Sequence, residues 1–168
     1  RLLYSHCGEQ YSRARKTPAS RRARNEPRMT KLRNYHGLTA LVTGASSGIG
    51  RRLSERFAQA GAHVVLVARR QSELEQVRNA ISDAGGSAEA QVCDVSKRAD
   101  VDRCIGELRQ AGRSIDILVN NAGYGRHRPF LDWDVEDMER MFRVNFLGTL
   151  YFTKAVVPMM VERKRGWL

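Results

Sequence analysis

From Gly37 onward the hydrophobic pattern switches repeatedly between short apolar runs of strand length and the wider spacing of a helix face. Leu38 to Thr43 is such a run; Ile49, Leu53, Phe57 and Ala60 then recur at helical steps, and Gly61 ends the stretch. His63 to Val67 is a second run, rich in β-branched residues. Ser72 and Glu75 have the Ser-x-x-Glu spacing of a capping box, ahead of a stripe of Leu74, Val77 and Ile81 that Gly85-Gly86 stops. Ala88 to Cys93 predicts a third strand, Val101, Cys104, Ile105 and Leu108 a third helix, and Ile115 to Val119 a fourth strand. Strands and helices alternating at this spacing bury their apolar faces as βαβ units, so the expected class is α/β with a doubly wound parallel sheet. Right-handed crossovers make 3-2-1-4 the expected strand order.

The last element is the longest. Asp134 is placed to cap it, and Val135, Met138, Phe142, Asn145, Thr149, Phe152 and Val156 step by threes and fours along one face. That stripe predicts an asparagine and a threonine buried among apolar neighbours. Pro158 lacks an N–H and should kink the helix near its end, where Arg163, Lys164 and Arg165 suit a helix C-terminus.

Composition narrows the class of protein. With 168 residues, 42% hydrophobic and 28% charged, the chain has room for one domain with a real core. The net charge of +11 suggests nucleic acid until its distribution is seen: residues 1–28 carry eight Lys/Arg against two Glu. The remaining body is only mildly basic, so nucleic acid is not the expected partner. The Arg-rich tail, with Pro18 and Pro27, has neither helical nor strand period. It reads as upstream sequence ahead of a start at Met29, as a solvated basic tail, or as an organelle-targeting segment, in that order. The domain proper is then 29–168. Cys7, Cys93 and Cys104 have no paired spacing, so neither a disulfide framework nor a metal site is expected, and a reducing, cytoplasmic setting is the simplest reading. No apolar run approaches the roughly 20 residues of a membrane span.

The chemistry begins at the first turn. Thr43-Gly44-Ala45-Ser46-Ser47-Gly48-Ile49-Gly50 lies between the first strand and its helix. Gly44 permits a tight turn, Gly48 lets the backbone approach a pyrophosphate, and Gly50 lets helix and strand pack, while helix N–H groups favour an anion. Such strand-turn-helix context marks a Rossmann-type dinucleotide site. The end of the second strand then selects the cofactor. An acid there would accept from a ribose 2′-OH, but Ala68 occupies that place, followed by Arg69 and Arg70. A guanidinium binds a 2′-phosphate that a carboxylate would repel, so NADP(H) is expected, with Arg69 as the phosphate ligand.

Thr43 to Gly50 resembles the TGxxxGxG signature of the short-chain dehydrogenases/reductases, and Asn120-Asn121-Ala122-Gly123 resembles their NNAG motif. Asp94-Val95 is similar to the family's adenine-contacting pair, and Val144-Asn145 to its active-site asparagine segment. The resemblance, over residues 38 to about 160, implies roles. Gly44, Ser46, Ser47, Gly48, Ile49 and Gly50 would serve the pyrophosphate and ribose turn, and Asp94 and Val95 the adenine. Asn121, Ala122 and Gly123 would pass beside the adenosine ribose and the nicotinamide end, with Asn120 stitching the sheet. Asn145 would support a water in a proton relay. The resemblance also implies a serine on the next strand and a Tyr-x-x-x-Lys on the next helix, and no tyrosine here has a lysine four residues on. Tyr151 and Lys154 are three apart, on the long helix. Arg165-Gly166-Trp167-Leu168 resembles the lead-in to the serine strand, so the domain is expected to be C-terminally truncated. The implied protein transfers hydride between NADP(H) and a small carbonyl or alcohol, as a homo-oligomer when complete; the alternative is a catalytically inactive NADP-binding sensor. Arg126, His127 and Arg128 border the expected site and read as a solvated loop.

Overall fold

The computed structural model describes residues 34–168; the expectations for the basic tail and for Met29 lie outside them. Four parallel strands, β1 (Thr39–Thr43), β2 (His63–Ala68), β3 (Ser87–Val92) and β4 (Ile117–Val119), form one sheet in the order β3-β2-β1-β4. The crossovers are α1 (Gly48–Gln59), α2 (Gln71–Asp83) and α3 (Arg98–Gln110). The register runs from Thr39 opposite His63 to Thr43 opposite Val67, and Ala40 faces Ile117. This is the doubly wound α/β architecture that the alternating pattern predicts.

Alternation along β1 and β2 sends side chains to two cores. Val42, Val64 and Leu66 pack with Ala58 of α1 and with Leu74, Val77 and Ile81 of α2. Leu41, Val65 and Val67 pack with Val101, Cys104, Ile105 and Leu108 of α3. The α2 and α3 stripes therefore lie as the spacing predicts; of the α1 stripe Ala60 is buried and Phe57 half-buried against the core, while the fully buried face within the helix lies one residue on. That face is Gly50, Ser54 and Ala58, and Ile49 is 74% exposed. Small residues let α1 lie close against the sheet, and Ser54 satisfies its buried hydroxyl by donating to the Gly50 carbonyl at 2.8 Å. The expected capping box is absent. Helix α2 starts at Gln71, so Ser72 is already inside it; Ser72 donates to Glu73, and Glu75 pairs with Arg78.

The final helix is one path in three parts: α4 (Val135–Phe142), a π-helical turn (Arg143–Leu147) and α5 (Gly148–Glu162), which continues through Pro158. The predicted stripe is not buried along its length. Phe152, Val156 and Met160 are buried, but Val135 and Phe142 are exposed, and so are Asn145 and Thr149. Burial follows Gly148, Phe152, Val156 and Met160 in steps of four, one face of α5, and the π turn interrupts the uniform steps before it. By length and composition 135–162 could cross a membrane, contrary to the sequence reading. Its C-terminal half instead lies against α3 and the sheet, the behaviour of a core helix.

Beyond α5 the chain returns beside β4. Lys164 takes a φ of 52°, and Trp167 pairs in parallel with Ile117, with Leu118 N–H donating to the Trp167 carbonyl at 2.9 Å. Asp116, 1% exposed, anchors this return: it accepts from Thr39 N–H at 2.9 Å, Arg163 at 2.9 Å and Arg165 at 2.8 Å.

Candidate functional site

The C-terminal ends of β1 and β4 are tied together by one hydroxyl and one amide. Thr43 Oγ1 accepts from the N–H groups of Asn121 and Ala122, both at 3.0 Å, and donates to the Val119 carbonyl. The Asn121 amide donates to the Thr43 carbonyl at 2.9 Å. Asn121, not Asn120, thus stitches the sheet. Asn120 turns the other way and donates to Thr153 of α5 at 3.1 Å, because neighbouring residues leaving a strand point to opposite faces.

This tie leaves no room for side chains at two glycines. A Cβ on Gly44, whose φ is +68°, would sit 2.9 Å from Ala122 Cα. One on Gly50 would strike the Gly44 carbonyl and the Asn121 amide. Gly48, at φ +57°, has open space around it instead. Helix α1 begins there without a side-chain cap; Arg51 N–H donates to the Ser47 carbonyl at 3.2 Å, and the N–H groups ahead of it lack an intrahelical acceptor, as at any helix start.

The opening is a cleft of about 470 Å³ along the C-terminal ends of the strands. Gly44, Ser46, Ser47, Gly48 and Ile49 line it from the first turn, Arg69 from the end of β2, Asp94 and Val95 from the end of β3, and Asn121, Ala122 and Gly123 from the end of β4. Of the sequence-predicted residues, Gly50 and Asn145 do not line it. Gly50 packs behind the turn. Asn145 grips the main chain of Tyr124, accepting from its N–H at 3.0 Å and donating to its carbonyl at 2.9 Å. Tyr124 and Gly123 belong to the cleft wall, so Asn145 acts on the wall from outside.

Charge is distributed unevenly in the cleft. Asp94 is the single carboxylate lining it among the described residues, and it is occupied by Ser96, whose N–H and hydroxyl donate to it at 3.1 and 2.7 Å. Ala68 is buried at the end of β2, and both following arginines face the cleft. The residue passed over in the sequence is Arg70: its guanidinium reaches Ser46 at 3.3 Å and Ser47 at 3.5 Å. The signal for it was the doubled basic residue. Cys93 forms an apolar wall beside Asp94, its thiol pushed up by the hydrogen bond with Cys104 and by burial, hence neutral.

Other features fall outside the cleft. Tyr151 and Lys154 line a groove between α3 and α5. Arg126 and Arg128 both pair with Asp137 at 3.7 Å, as exposed loop residues do. A cradle of two positive-φ glycines, an uncapped helix start, open space at Gly48 and guanidiniums at the β2 end fits a phosphate-bearing dinucleotide.

The family model for short chain dehydrogenases matches residues 38–168. Fatty acyl-CoA reductase of Acinetobacter baylyi is 39% identical over 135 residues, covering 79% of this chain and 46% of that protein. The crystal structure of a gluconate 5-dehydrogenase from Burkholderia cenocepacia, in complex with NADP and tartrate, superposes with a TM-score of 0.74 at 34% identity, over 80% of this chain and 54% of that one. A metagenomic short-chain oxidoreductase in complex with NADP gives a TM-score of 0.75 at 36% identity, over 79% and 61%. The chain spans about half the length of the curated relatives it matches. With the sheet order, the glycine turn and the Asn121 tie all in place, this match leaves one conclusion: the chain belongs to the short-chain dehydrogenase family.

Proposed function

We propose that the chain is the nucleotide-binding part of an NADP(H)-dependent oxidoreductase that moves hydride between nicotinamide and a carbonyl or alcohol carbon. The observation that carries the cofactor is the end of β2: a buried Ala68 where an acid would serve NAD, with Arg69 and Arg70 facing the cleft. Two related proteins crystallised with NADP support the same reading. The glycine turn and the start of α1 would hold the pyrophosphate, Arg69 the 2′-phosphate, Asp94 and Val95 the adenine side, and Asn121 to Gly123 the nicotinamide end. Bound there, the cofactor supplies hydride; the chain's own residues bind it, orient it and fix the loop at Tyr124 through Asn145. The accompanying proton would come from a tyrosine and lysine outside these 168 residues. The exposed Phe142, Phe146 and Leu150 support a homo-oligomer, and the free Cys93 and Cys104 suit a reducing, cytoplasmic setting.

Ala68→Asp combined with Arg69→Ser in the intact protein tests the assignment. A lost charge-assisted phosphate contact is worth about 1.5–3 kcal/mol, so preference should move from NADP toward NAD by roughly one to two decades. Unchanged Kd values for both cofactors would remove Arg69 from the site.

A further inference from the structure

Arg70 spans the mouth of the cleft at its β2 end. One terminal nitrogen reaches the hydroxyls of Ser46 and Ser47 in the β1–α1 turn, and the other pairs with Glu73 in the first turn of α2 at 3.1 Å. Glu73 is held on both oxygens, because Ser72 donates to the second at 2.9 Å. Its position in the first turn of α2, which has no side-chain cap, favours a negative charge. The Ser72 hydrogen bond above all, with a backbone N–H and Arg70, keeps its carboxyl below the usual glutamate range, so it is anionic at neutral pH.

A carboxylate and a phosphate ask the same thing of a guanidinium: two anionic oxygens against its planar fork. An anion entering beside Arg69 therefore meets Arg70 with one terminal nitrogen paired to a carboxylate and the other on the Ser46 and Ser47 hydroxyls, and meets the charge of Glu73 as well. The geometry points to Glu73 as a specificity-determining residue that competes with a 2′-phosphate for Arg70, and so limits the discrimination between 2′-phosphorylated and plain adenosine ligands. This rests on the NADP(H) reading of the β2 end. Arg70 and Glu73 are 57% and 31% exposed, so water screens their pairing and the effect is a modest one.

The test is calorimetric titration of the intact protein with adenosine 2′,5′-bisphosphate and with adenosine 5′-monophosphate. Glu73→Gln should tighten the bisphosphate by about threefold to fivefold and leave the monophosphate unchanged. Glu73→Ala should do the same, and neither should have an effect once Arg70 is replaced by Gln. Bisphosphate binding that is equal or weaker in both Glu73 variants, with the wild type still preferring it, overturns the role of Glu73 and leaves the NADP(H) reading standing. A gain that survives Arg70→Gln overturns competition through Arg70. No wild-type preference for the bisphosphate overturns both readings.

Discussion

Asn145 shows how a helical stripe can misplace a side chain's environment. The helical steps put it on a buried stripe; it is exposed, and both ends of its amide are spent on the main chain of Tyr124. A Cβ on Gly123 would stand 3.1 Å from its Oδ1, so the glycine and the amide fit together. The loop that closes the cleft beyond β4 is therefore tethered by a residue that never enters the cleft. Replacing Asn145 with Ala removes two hydrogen bonds worth about 0.5–1.5 kcal/mol each. In the intact protein, amide exchange at Tyr124 should accelerate roughly tenfold or more. Turnover should fall roughly tenfold to a hundredfold while NADP(H) affinity changes little, if the residue serves proton movement. Equal losses in turnover and affinity, with a lower melting temperature, would reduce Asn145 to a structural tether.

At the level of elements, the strand and helix order was legible because burial on two faces leaves a periodic trace. Leu74, Val77 and Ile81, or Val101, Cys104, Ile105 and Leu108, announce their helices by spacing alone. What escaped was anything that departs from uniform geometry: the π turn at Arg143–Leu147, and the continuation of the close α1 face from the expected Gly50 to Ser54 and Ala58. Arg70 escaped for a different reason, since two adjacent arginines look alike until the backbone gives each a direction. So did the joint at Asp116, whose partners Thr39, Arg163 and Arg165 are far apart in the chain. Burial alone would raise that carboxyl, but the Thr39 N–H and the two guanidiniums outweigh it and hold it below the usual aspartate range. Its stabilisation is therefore complete above an unfolded value of about 4 and is lost as pH falls through the lower folded value. Because Arg163 and Arg165 are 29% and 50% exposed, Asp116→Asn should cost only about 1–3 kcal/mol at pH 7. Urea titrations across pH should show wild type and variant converging in acid. A gap that stays constant from pH 7 to pH 2 would show that the charge of Asp116 does not matter.

For the whole molecule, the question is what these 168 residues can do as a separate polypeptide. The glycine turn and the arginines at the β2 end come from β1 and β2, which have strands on both sides, and Asn121 is held to β1 by its bonds to Thr43. Weak nucleotide binding should therefore survive. Hydride transfer to a carbonyl also needs a proton for the developing alkoxide, and the chain has no Tyr-x-x-x-Lys to give one. The tyrosine nearest that pattern, Tyr151, lines the α3–α5 groove rather than the cleft. The outer side of β4 is a second weakness. Trp167 bridges it at a single pair, which leaves an edge strand that recruits other chains. Phe142 and Phe146, stacked with centroids 5.0 Å apart and each 55% exposed, add an apolar patch with Leu150 on the neighbouring turn. The isolated polypeptide should then show no carbonyl-dependent oxidation of NADPH, and its light scattering should rise with concentration. Replacing Phe142 and Phe146 with Gln should reduce that scattering without changing turnover, because the apolar patch lies apart from the cleft. Steady NADPH oxidation by the isolated polypeptide would mean that a group within residues 1–168 supplies the proton, and the assignment of catalysis to residues outside them would fall.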